Sequence, residues 1–199
     1  MSGNLEIIIG PMFSGKSTEI IRRIRLLQKI DKKIIVVKPI IDNRYTSDKI
    51  TSHNYESVDC VVINNLADID QSIIKTHDTI VIDEGQFFDD LVDTVEFWLK
   101  SFNINIIVAG LDGDFQQKPI GKILNLIPLS NKCIKLNSLC NMCKDGTEAP
   151  FSFRLVQSKE AVLVGGSDKY MPLCRTHYNQ LSQYNLKLSA NAELSETNL

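Results

Sequence analysis

Apolar and polar positions along the chain fall into two rhythms. Short β-branched runs occupy 5–9 (LEIII), 34–38 (IIVVK), 79–83 (TIVID) and 104–110 (INIIVAG), each bounded by polar or turn residues, and each is predicted as a buried strand. VDCVVI at 58–63 is a fifth candidate. Between the first two runs, Ile20, Ile24 and Leu27 recur at helical spacing with Ile21 beside them. That spacing predicts a helix from residue 16 to about residue 30, starting directly on a glycine turn. The segment DDLVDTVEFWLKSF, ahead of the fourth run, has the same helical spacing. Strands alternating with helices predict an α/β fold: a mostly parallel sheet covered by helices on both faces, with ligands at the carboxyl ends of the strands.

Past residue 130 the rhythm changes: strands shorten, helical periodicity disappears until about residue 175, and candidate metal ligands cluster. The expected boundaries are 1–136 for the sheet domain and 137–185 for a small second unit, whose ligand types fall within 137–178. A disordered tail is expected over 186–199, where small polar residues have little to bury. At 199 residues and 43% apolar content the chain accommodates one full core plus an appendage.

Charge narrows the possibilities. Lys and Arg number 22 against 24 Asp and Glu, a net charge of −2, which argues against a protein whose business is coating nucleic acid. Arg22, Arg23 and Arg25 on the first helix read as a solvated face. No apolar stretch approaches membrane-spanning length, and the leading apolar run lacks the length and basic leader of a signal peptide. The expectation is a soluble, cytoplasmic protein with no membrane or nucleic-acid partner, whose five cysteines are thiols or metal ligands.

Three groups of residues carry chemistry. GPMFSGKS (10–17) fits the pattern G-x-x-x-x-G-K-[ST]. The backbone N–H groups of Gly10, Pro11, Met12, Phe13, Ser14 and Gly15, proline excepted, would cradle phosphates. Lys16 would reach the β/γ oxygens and the Ser17 hydroxyl would ligate Mg²⁺. Asp83 and Glu84 close the strand TIVID. Asp83 is expected to hold Mg²⁺ directly or through water, leaving Glu84 available for proton chemistry. Cys140 and Cys143 (CNMC) with Cys174 and His177 (CRTH) match four-coordinate zinc, a closed and therefore structural site pinning the ends of the loop 144–173. Cys60 and Cys133 read as small packed hydrophobes, and His53 and His77 as exposed loop positions.

Two alternatives belong beside this. A phosphate loop followed by DEGQ also suits a nucleic-acid-dependent ATPase whose Glu activates water, but such motors need a second ATPase half and a basic track. A zinc binding module with ATP as a switch is the other; DGDFQQKP and the long zinc-tied loop favour a substrate pocket instead.

GPMFSGKST, DNRYTS, VIDEGQFF, LDGDFQQKPIG, CNMC, VGGSDKY and CRTHY, in this order from about residue 5 to residue 178, resemble the type II, zinc-containing thymidine kinases. The resemblance implies transfer of the γ-phosphate of ATP to the 5′-hydroxyl of thymidine or deoxyuridine, a homotetramer, and feedback inhibition by the triphosphate end product. By matching positions, Asp42, Asn43 and Arg44, together with Asp83 and Gln86, would line the ATP site with residues 10–17, and Glu84 would be the general base. Phe115 and Tyr170 would contact the thymine ring, with Leu111 in the nucleoside pocket; in GQFF, Phe87 and Phe88 read either as core or with one ring near Glu84, that of Phe87, walling that pocket. The main chain of Ala161, Val162, Leu163, Val164 and Gly165 would hydrogen-bond the base from a lasso loop. Two positions depart from familiar members: His177 stands where several have Cys, and Phe153 precedes Arg154 where the motif has Lys-Arg.

Overall fold

The structure is a computed structural model and describes residues 3–41, 49–51, 56–156, 158, 163 and 165–184. Strands β1 (Asn4–Ile9) and β2 (Ile34–Pro39) bracket helix α1 (Lys16–Gln28). Short strands β3 (Lys49–Thr51), β4 (Ser57–Asp59) and β5 (Val61–Ile63) precede α2 (Gln71–Lys75) and β6 (Thr79–Ile82). Then come α3 (Leu91–Ser101), β7 (Asn105–Gly110), a 3-10 segment Ile123–Leu129 and β8 (Lys132–Lys135). The remaining strands are β9 (Ser138–Leu139), β10 (Glu148–Ala149), β11 (Phe151–Arg154) and β12 (Tyr170–Leu173), followed by a helix over 175–184.

Six strands form one sheet in the order β5-β2-β6-β7-β1-β8, and every pairing in it is parallel. Parallel strands need covered faces, and the alternation along each strand supplies two. Ile7, Val37, Ile82 and Val108 face Phe88, Val95 and Trp98 from α3 and its approach. Ile8, Val36, Val81 and Ile107 face Ile20, Ile21 and Ile24 of α1. Each of these fully buried isoleucines contributes roughly 1.5–3 kcal/mol relative to exposure, so the sheet is the main source of stability.

The run 58–63 is not one strand. Residues 57–59 pair antiparallel with β3, while 61–63 pair parallel with β2 at the edge of the main sheet. The break falls at Cys60, which packs against the α1-side core. Cys133, read as a packed hydrophobe, is exposed on the edge strand β8, whose outer side no strand covers among the described residues. Arg22 and Arg23 pair with Glu19, Arg23 also with Glu6, and Arg25 with Glu56, so the basic face of α1 is spent on neighbouring acids. The expected tail, 186–199, lies outside the described residues, as does His53.

A third cluster, separate from the sheet, is built from Cys140, Ala149, Phe153, Leu173, Cys174 and Tyr178. Its strands form only two-stranded pairs, β9 with β10 and β11 with β12.

Candidate active site

The glycine loop 10–17, the phosphate-loop candidate, joins the carboxyl end of β1 to the first turn of α1. Gly15 is the N-cap with φ 82°, a left-handed conformation that suits glycine, and no side chain caps the helix. The uncapped first turn presents its N–H groups and positive dipole end to an anion. Phe13, a non-glycine residue with φ 64°, shows that the loop is held in a strained shape by its surroundings. Lys16 is 8% exposed and folds back over the loop, donating to the carbonyls of Pro11 at 2.7 Å and Gly10 at 3.2 Å. Ser14 donates to the Pro11 carbonyl at 2.9 Å, and Ser17 is half-buried beside Lys16.

Asp83 and Glu84 follow β6, and only β7 separates β6 from β1. The register Ile82↔Val108↔Ile7 sets both strand ends at the same edge of the sheet. Strand spacing puts them about 10 Å apart. Asp83, 4% exposed, continues the face of Val81 toward α1 and accepts from the Glu84 N–H at 3.0 Å. A buried acid on the face that carries Ser17 fits Mg²⁺ chemistry.

Glu84 is 6% exposed and left-handed, with φ 50°. A carboxylate kept buried in that conformation needs a fixed partner, and Gln86 supplies it. Its Nε2 donates to Glu84 Oε2 at 2.5 Å, while its Oε1 accepts from the Leu111 N–H at 3.0 Å. Gly110 makes room for this clamp, because a Cβ there would lie 2.1 Å from Gln86 Oε1. Gln86 thus bridges two loops and aims Glu84, a role its place in the motif does not reveal. Of the two phenylalanines that follow, Phe88 is 1% exposed in the core and Phe87 is half-buried.

The second region lies across the loop from the sheet. A cavity of about 500 Å³ is bordered by Phe13, Ser14 and Gly15 on one side and Leu139, Tyr170 and Pro172 on the other. Ser152 Oγ accepts the Met12 N–H at 2.9 Å, tying β11 to the phosphate loop. Phe115 lies under the Arg154 guanidinium, 3.7 Å from its carbon, and Tyr170 donates to the Leu163 carbonyl at 2.8 Å. The structure therefore brings Phe115, Tyr170 and Leu163 into one neighbourhood, with Gly165 on the approach to β12. Asp42, Asn43, Arg44, Ala161, Val162 and Val164 lie outside the described residues. Ser152 and Arg154 escaped sequence reasoning because their partners lie far along the chain; the only signal was the departure at Phe153–Arg154.

The four metal-ligand candidates converge, with one ligand atom from each of Cys140, Cys143, Cys174 and His177 within 4.8 Å of the others. Cys143 and Cys174 sulfurs are 3.8 Å apart, and His177 Nδ1 lies 3.3 to 3.5 Å from the three sulfurs. Tetrahedral zinc with ordinary bond lengths requires edges of about 3.8 Å between sulfurs and about 3.5 Å from sulfur to nitrogen, so the residues fit that ion. Burial raises the Cys140 thiol pKa, but backbone N–H groups of Cys174, Cys143 and Met142 and the His177 ring outweigh it and hold it below the ordinary thiol range, while burial and the neighbouring Cys140 and Cys174 push the Cys143 thiol up. Of the two thiols in this turn, the surroundings favour Cys140 as the thiolate.

The glycine loop, the carboxyl ends of the parallel strands and the buried carboxylates of Asp83 and Glu84 lie together at one end of the sheet. Residues 3–178 match the family described as thymidine kinase. The chain is 44% identical over 176 residues to the thymidine kinase of Vaccinia virus (strain Ankara), covering 88% of this chain and 97% of the viral one. It is 42% identical to the cytosolic thymidine kinase of Homo sapiens, covering 88% and 73% respectively. To that of Gallus gallus it is 41% identical, covering 89% and 78%. The chain belongs to the thymidine kinase family. Among the described residues no helix is long and apolar enough to cross a membrane.

Proposed function

We propose that this protein transfers the γ-phosphate of ATP to the 5′-hydroxyl of thymidine, and of deoxyuridine, in the cytoplasm as a homotetramer. The observation that carries the proposal is Glu84: a buried carboxylate, strained in backbone and clamped by Gln86, at the sheet edge two strands from the phosphate loop. The loop residues 10–17 grip the triphosphate, and Lys16 exchanges its loop carbonyls for β/γ oxygens as the nucleotide arrives. Ser17 and Asp83 would hold Mg²⁺, which when bound neutralises developing charge on the phosphate oxygens. The 5′-oxygen bonds to the γ-phosphorus while its bond to the β,γ-bridging oxygen breaks, ADP departs, and the hydroxyl proton passes to Glu84. Asp42, Asn43 and Arg44 complete the donor side.

On the acceptor side Phe115, Tyr170, Phe87 and Leu111 form the walls of the nucleoside pocket, and the main chain of 161–165 reads the base edge. A pocket of rings and main chain fits one ring size, so purines are excluded by shape. The unit 137–185, braced by zinc, positions that pocket against the sheet domain 1–136. A panel of the common deoxynucleosides with ATP and Mg²⁺ tests the proposal. Thymidine and deoxyuridine are expected to be phosphorylated and the purine deoxynucleosides not; transfer to none of them overturns it.

A further inference from the structure

Strand β11 has two faces of different purpose. Phe151 and Phe153 pack on Tyr178, with ring centroids 5.4 and 5.7 Å away, and so belong to the metal unit. Ser152 and Arg154, displaced by one residue, point to the opposite side. Ser152 holds the phosphate loop through Met12. Arg154 is 6% exposed, a burial that an arginine tolerates only with compensating contacts.

Those contacts converge on the nucleoside side. The guanidinium carbon lies 3.7 Å above the Phe115 ring and 5.5 Å from the Tyr170 ring. Nη2 donates to the Tyr170 hydroxyl at 3.0 Å, and that hydroxyl donates onward to the Leu163 carbonyl. Nη1 lies 3.5 Å from the Ser158 carbonyl, at the limit of a hydrogen bond. A hydroxyl that accepts from a cation becomes a stronger donor, so the charge of Arg154 is transmitted to the loop main chain through Tyr170. Meanwhile Tyr178 donates to the Phe115 carbonyl at 2.6 Å. The backbone of Phe115 is therefore held from the metal unit and its ring from Arg154.

We propose that Arg154 is a positioning residue for the nucleoside site, fixing Phe115, Tyr170 and the Leu163 main chain relative to one another. The inference rests on Phe115, Tyr170 and residues 161–165 being the base-recognition groups. Only a planar group can stack on one ring while donating in its own plane to the next, so lysine is no substitute.

The test compares Arg154→Met and Arg154→Lys with the wild-type protein, measuring KM for thymidine, KM for ATP, kcat and bound zinc per chain. Loss of a desolvated stacked cation and its hydrogen bond is expected to raise the thymidine KM of Arg154→Met at least about tenfold, with the ATP KM within about twofold. Zinc content should be unchanged, and Arg154→Lys should stay within about threefold of Arg154→Met because charge without the flat fork restores little. An unchanged thymidine KM, an equal rise in both KM values, full rescue by lysine, or loss of zinc in both variants each overturns the proposal. Failure of the wild-type protein itself to phosphorylate thymidine would instead overturn the base-recognition reading on which it rests.

Discussion

Around the phosphate loop, two interleaved sets of isoleucine and valine cover both faces of a six-stranded sheet. Across the loop, the described residues of the metal-ligand unit centre on Cys140, Ala149, Phe153, Leu173, Cys174 and Tyr178, with paired strands of two to four residues. A core that small cannot offset the ordering of its own chain, and such units rely on disulfides or metals. On the proposed function the donor side is held by burial, whereas the acceptor side would be held by a metal cross-link. Perturbations should separate accordingly: a change in the metal unit should reach the nucleoside and spare ATP, and a change at the sheet edge should reach the chemistry and spare folding.

The sharpest separation is expected at Glu84. Glu84→Gln should lower kcat at least about a hundredfold while ATP affinity stays nearly intact, because the proposed general base is removed and the loop is not. Nucleotide titration beside steady-state rates checks both halves, and near-normal turnover would remove Glu84 from the role. Next, Cys140→Ser should lose the proposed zinc and raise the thymidine KM at least about tenfold, with a smaller change for ATP, since the four ligands are proposed to brace the acceptor side. Metal analysis with parallel KM measurements reads this; a wild-type protein purified without zinc would end the idea. Gln86→Leu should then lower kcat about tenfold with both KM values little changed, because Glu84 loses its donor and its aim and the Leu111 N–H loses its acceptor.

The smallest effect belongs to the ion pairs along α1, where Glu19 meets Arg22 and Arg23. Hydrogen bonding from Arg22, and then from Arg23, outweighs burial and holds the Glu19 carboxyl down to about 2 from its ordinary 4.5. A depressed carboxyl pKa stabilises the fold above the unfolded value, and the benefit fades as pH falls from 4.5 toward 2. Partly exposed pairs are screened, so Glu19→Gln should cost under about 1 kcal/mol at pH 7 and progressively less below pH 4.5, as read from urea melts.

The strand–loop–helix order and the cluster of cysteine and histidine ligands were legible in the sequence because their signals are local. The phosphate loop spans eight consecutive residues between a strand and a helix, and the cysteine and histidine pairs each sit within one turn. The run 58–63 misled because its β-branched residues suit either strand, and only the partners, β3 on one side and β2 on the other, show the break at Cys60. Ser152 and Arg154 illustrate the other limit. Ser152 meets Met12 from 140 residues away, and Arg154 meets the Phe115 ring from strand β11, so no local pattern encodes either contact. Gln86 lay within a recognised motif, yet its use as a clamp depends on Leu111 and on the space left by Gly110.

The fate of the γ-phosphate tests the central claim most directly. Phosphorus NMR of a reaction containing the protein, ATP, Mg²⁺ and thymidine should show one thymidine 5′-monophosphate formed for each ADP, with no requirement for nucleic acid. Release of inorganic phosphate alone, with the thymidine left unmodified, would contradict the account and point to an ATPase built on the same loop.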